Sequence, residues 1–174
     1  MRRFLDRLYM LSGGLAALAI LGICLLIAAQ ITFNVIARIG GAGLSYTIPS
    51  YADFAGYMLS TATFMALAYT LRAGGHIRVG LVVQRLPRRV RWGAEVGSLA
   101  VGALFATTAT YYAGLLMAES WHYGDKSTGI VAIPTWMPQV FMVAGLALLA
   151  VAFVDTMIES LRAGGPILTD MGAE

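Results

Sequence analysis

Long apolar runs alternate with short polar or glycine-rich connections along this chain. The runs cover residues 8–37, 49–71, 88–118 and 135–160. Each meets or exceeds the ~20 residues that a helix needs to cross a bilayer. In a hydrocarbon layer the backbone must satisfy its own hydrogen bonds, so each run is expected to be a transmembrane helix. The pattern predicts an all-α membrane protein with four spans, forming a single domain over residues 1–174. The first run follows Arg2, Arg3 and Arg7, as a signal peptide would. Its uncharged stretch, residues 8–29, outruns the roughly 7–15 residues of a signal h-region, so it is expected to be a retained helix.

The connections carry turn chemistry. Residues 40–49 hold Gly40, Gly41, Gly43 and Pro49, and residues 119–134 hold Gly124, Gly129 and Pro134. Between the second and third runs the character changes. Residues 71–92 contain Arg72, Arg78, Arg85, Arg88, Arg89 and Arg91, six of the twelve basic residues. Within this segment Val79, Val82, Val83 and Leu86 recur at i, i+3, i+4 and i+7, the spacing of one helical face. Arg78 and Arg85 lie a quarter-turn away. A short amphipathic helix over residues 76–86, lying in the membrane interface, is therefore expected. Gly74 and Gly75 supply the bend into it, and Pro87 suits the first position of the third span.

Charge then orients the chain. The N-terminal segment and residues 72–91 carry nine arginines, against Arg38 and Lys126 in the other two connections. The positive-inside rule places both termini and the basic segment in the cytoplasm. Composition agrees with a membrane protein: 59% of residues are hydrophobic and 12% charged, against about 25% charged in soluble domains. The arginines adjoin apolar spans, so they point to topology and lipid contact, with no nucleic-acid partner. Trp121, Tyr123 and Trp136 flank the last connection like an interfacial aromatic belt.

Candidate contacts follow from the spacing. Ala52, Gly56 and Ser60, and then Gly93, Gly97, Gly102 and Ala106 with their neighbours, form small-residue stripes that suit close helix contact. Asp53 sits in the first turn of the second span, where the helix dipole favours an anion. Arg38 and Asp53 are expected to pair and so join the first two spans. Glu95 and Asp155 share a leaflet with the arginine cluster and are expected to pair with it, or Glu95 with Arg91 one turn away.

Motifs for chemistry are lacking. Cys24 is the one cysteine, so no intramolecular disulfide, thiol pair or Cys/His metal cluster is available. His76 and His122 fall at opposite membrane faces and cannot serve one haem. His76 is best taken as a capping or orienting group. The middle of each span lacks ionisable residues, which argues against a self-contained exporter as well as a membrane electron carrier, the two alternatives to a non-catalytic subunit. No enzyme, cofactor or metal is expected.

The segment Arg72-x-x-x-His76-Ile77-Arg78-Val79, followed by Leu86-Pro87 and basic residues, resembles the signature of the small membrane subunit, DctQ type, of TRAP transporters (tripartite ATP-independent periplasmic transporters). Val35-Ile36-Ala37-Arg38 is similar to the end of that family's first helix. Residues 125–136, running from Lys126-Ser127 to Ile133-Pro134-Thr135-Trp136, are similar to its last external loop. The chain departs from the family where Tyr51-Ala52-Asp53-Phe54 offers one acid and no tryptophan, and where Gly80 replaces an acid. The resemblance implies a bracing subunit in the bacterial inner membrane, working with a large permease subunit and a periplasmic solute-binding protein. It implies uptake of an organic acid driven by an ion gradient, sodium in the family. The large subunit would carry the substrate and ion sites.

Overall fold

A computed structural model of the chain describes residues 2–40, 46–74 and 87–165. The described residues form four helices: α1 (Arg2–Gly40), α2 (Tyr51–Arg72), α3 (Arg88–Tyr123) and α4 (Trp136–Ala163). All four are long and apolar enough to cross a membrane. No strand occurs among the described residues; the one extended contact is an isolated bridge between Lys126 and Pro134. The interfacial helix expected over residues 76–86 lies outside the described residues.

The helix ends follow local chemistry. Gly124 and Gly164 adopt left-handed φ values of 66° and 61° just past α3 and α4, where a side chain would be strained. Pro87 stands one residue before α3, not inside it, and its carbonyl accepts the Val90 and Arg91 amides. Three of the helices, α1, α3 and α4, outrun their apolar runs. At ~1.5 Å per residue α1 is roughly 58 Å long, against a hydrocarbon core of ~30 Å. Its ends must project or the helix must tilt.

The helices lie in a row rather than a square. α1 packs on α2, α2 on α4, and α4 on α3, so the order in space is α1–α2–α4–α3. Close approach at each junction depends on a glycine. Gly145 of α4 lies against the backbone of Phe64 in α2, where a Cβ would overlap the Phe64 carbonyl. Gly102 of α3 admits the ring of Phe153 from α4, and Gly13 of α1 that of Tyr69 from α2. The small-residue stripes are used only in part. Gly102 and the buried Ala103 and Ala106 face α4, whereas side chains at Gly56, Gly93 or Gly97 would meet nothing. Equal spacing marks several rows on one helix, and packing selects one of them.

The core sits toward one end of the row. Tyr9, Ala68, Leu71 and Ala152 are buried there, with Leu5, Leu148, Leu149 and Phe153 packed around them. This end gathers the start of α1, the end of α2, the start of α3 and the end of α4. Arg2, Asp6, Arg72, Asp155 and Glu159 collect beside it.

Candidate functional site

Arg72 is the last residue of α2, where a cation favours the unpaired carbonyls of the final turn. Its side chain is only 19% exposed and reaches three carboxylates. Nη1 lies 3.0 Å from Glu159 Oε2 and 3.7 Å from Asp155 Oδ2, and Nη2 lies 3.8 Å from Asp6 Oδ1. Nη1 also faces Thr156 Oγ1 at 3.4 Å. The guanidinium stands 5.9 Å from the centroid of the Tyr9 ring, within cation–π range.

Helical spacing builds the acidic side of this cluster. Asp155 and Glu159 are four residues apart, so they share one face of α4. Two like charges at that spacing repel unless a cation stands between them, and Arg72 is placed to do so. Arg2, from the first turn of α1, donates a second hydrogen bond to Glu159. From α3, the Trp92 indole N–H donates to the carbonyl of Ser160 at 3.3 Å. Thr156 and Ser160 are fully buried and turn their hydroxyls onto backbone carbonyls, those of Ala152 and Gly165. All four helices thus meet at this end through polar contacts.

The opposite end is closed by loops. The buried Gln30 donates to Asn34 Oδ1 at 3.1 Å and accepts the Ile48 amide at 2.9 Å, tying the entry of α2 to α1. Ser50 takes a left-handed conformation, φ 55°, just before α2. Its hydroxyl does not cap that helix; it accepts the Val131 amide from the connection between α3 and α4 at 2.9 Å. That connection folds on itself, with the Thr135 amide donating to the Asp125 carbonyl and the Ser127 amide to that of Ile133. Trp136 packs edge-on against Trp121, ring centroids 4.6 Å apart, across its base.

Residues 27–163 match the family described as tripartite ATP-independent periplasmic transporters, DctQ component. The chain belongs to that family. No curated protein matches it closely enough to add a relative. DctQ components are membrane subunits of transporters, which accords with four spans and with a site built of ion pairs. Among the described residues no three His, Cys, Asp or Glu side chains converge to hold a metal ion.

The other residues singled out from the sequence are scattered in this DctQ component. Arg88 and Arg89 are exposed at the start of α3; the Arg88 guanidinium lies beside the buried Gly165. Glu95 is half-buried, one turn after Arg91. His76, Arg78 and Arg85 lie outside the described residues. The expected link between Arg38 and Asp53 does not form: no ion pair joins them. Gln30 is level with the entry to α2, and Arg38 stands eight residues further along α1, roughly 12 Å beyond it. Arg38 is exposed there, while the Asp53 carboxylate lies against Gly129.

Sequence reasoning did not single out Asp6 or Glu159 as site residues. The signal for Glu159 is present in its four-residue spacing from Asp155. Asp6 carries a weaker one, as the lone acid among three N-terminal arginines.

Proposed function

We propose that this DctQ component braces the large permease subunit of its transporter and carries no substrate site of its own. In this reading it lies in the bacterial inner membrane, with both termini and residues 72–91 in the cytoplasm. It contacts the large subunit and surrounding lipid, and leaves catalysis to neither itself nor a cofactor. The complex takes up an organic acid from a periplasmic binding protein, driven by an ion gradient, with sodium as the coupling ion.

One observation carries the bracing role. The charged residues of the four helices lie toward the helix ends, and Arg72 collects Asp6, Asp155 and Glu159 into one network there. A transport path normally needs ionisable residues or broken helices near the bilayer midplane. Among the described residues the helices are continuous and their centres uncharged. Such a body resists deformation and offers surface to a partner.

Reconstitution tests this directly. Proteoliposomes with the large subunit and binding protein are expected to lose uptake when this chain is left out. Uptake at the full rate without it would overturn the bracing role. Replacing Arg85, Arg88 and Arg89 by Gln is expected to lower the yield of inserted complex while the choice of substrate stays the same.

A further inference from the structure

The row of helices leaves a groove of about 1000 Å³ along α4, between the start of α1 and Thr107 of α3. Val151, Val154 and Ile158 form an apolar floor, and Thr107 of α3 marks the inner end. At the outer end stand two cations, Arg2 and Arg162, and two anions, Asp155 and Glu159. The volume is at the upper limit of small-molecule clefts, about 300–1,000 Å³.

Length and charge narrow the occupant. From Ala150 to Arg162 the groove follows α4 for roughly 18 Å. Half of the ~30 Å hydrocarbon core is ~15 Å, so the groove spans one leaflet and ends with its charges at headgroup depth. The groove stops at Ala150 and Thr107, a length that suits acyl chains of one leaflet. Among the described residues the mouth has equal numbers of both charges, which matches a zwitterion better than an anion. Arg162 is exposed and forms no ion pair among the described residues. Asp155 meets Arg72 at 3.7 Å, through one of its two oxygens. A carboxylate accepts about four hydrogen bonds, so it retains capacity for another donor.

We propose that this groove binds a phospholipid with a primary-amine headgroup, in the leaflet on the side of the chain's N-terminal end. The acyl chains lie along Val151, Val154 and Ile158. The phosphate meets Arg162, with Arg2 beside it, and the ammonium donates to Asp155 and Glu159. Basic pockets between transmembrane helices are a known means of holding lipid headgroups. The added acids select an amine that has N–H donors over a quaternary ammonium that has none.

Native mass spectrometry of the full chain in detergent tests this, with phosphatidylethanolamine, phosphatidylcholine and phosphatidylglycerol of identical acyl chains added separately. The ethanolamine lipid is expected to be retained about tenfold better than the choline lipid, the effect of losing charge-assisted hydrogen bonds. Arg162→Gln lies outside the Arg72 network and is expected to weaken retention about tenfold. Val154→Trp fills the floor and is expected to abolish it, with helical content by circular dichroism unchanged. Equal retention of the three lipids would overturn the proposal, as would retention unaffected by both variants. So would a Val154→Trp chain that keeps its lipid but no longer co-purifies with the large subunit, which would make the groove a protein interface.

Discussion

Arg72→Met removes the one cation shared by Asp6, Asp155 and Glu159. Exposed ion pairs contribute about 0–1 kcal/mol, whereas breaking a buried pair costs about 3–5 kcal/mol. Arg72 and Glu159 are 19% and 23% exposed, between these limits. Glu159 keeps Arg2, but Asp155 loses the cation 3.7 Å away and faces Glu159 one turn away. The expected loss is about 2 kcal/mol, roughly 30-fold in the folding equilibrium. Reversible unfolding in mixed micelles, followed by circular dichroism, measures it. Arg2→Gln serves as a control: its side chain is 67% exposed, so its loss is expected to leave the unfolding midpoint close to that of the unaltered chain. The decisive variant combines Arg72→Met with Asp155→Asn and Glu159→Gln. Removing both signs leaves far less uncompensated charge, so most of the loss should return. If the triple variant is as unstable as Arg72→Met alone, Arg72 acts through its guanidinium over the Tyr9 ring and not as a counter-charge to the carboxylates.

Three further outcomes follow from the packing and the loops. Gly145→Ala drives a Cβ into the Phe64 backbone, so unfolding should cost about 1–3 kcal/mol less, and an unchanged midpoint would place α2 and α4 further apart than described. Ser50→Ala and Ser50→Gly both lose the acceptor for the Val131 amide, but glycine also relieves the left-handed backbone; the alanine variant should be less stable than the glycine variant by about 1 kcal/mol in the same assay. Gln30→Leu leaves the half-buried Ile48 amide without its acceptor, and should destabilise by about 1 kcal/mol; a neutral result would mean that water replaces the side chain.

The four spans were legible because a bilayer restricts the backbone so severely that an apolar run of sufficient length has one outcome. Which helix touches which was not. α2 and α3 are consecutive, yet α4 packs between them. Nothing in the spacing of Gly93 and Gly97 separates them from Gly102, and only the last admits a ring from the neighbouring helix. Electrostatic partners were legible to the degree that they share a helix end. Asp155 and Arg72 fall at one end by simple topology. Arg38 and Asp53 fall at the other, but α1 continues past the entry of α2, and the span lengths alone do not reveal that offset. The role of Ser50 as an acceptor for a distant loop left no mark in the sequence beyond its place after Pro49.

The row order has a consequence for biosynthesis. The ribosome delivers α1, α2, α3 and α4 in turn, but α3 finds its main neighbour only when α4 arrives. Until then the membrane holds a helical hairpin, α1 with α2, and a solitary third span. The last segment synthesised also brings Asp155 and Glu159 to Arg72, which has waited with Asp6 alone. α4 is therefore the keystone of insertion: a nascent chain released before Trp136 would leave a helical hairpin tethered to an unpacked third span, and quality control would meet Arg72 with Asp6 as its one carboxylate of the three.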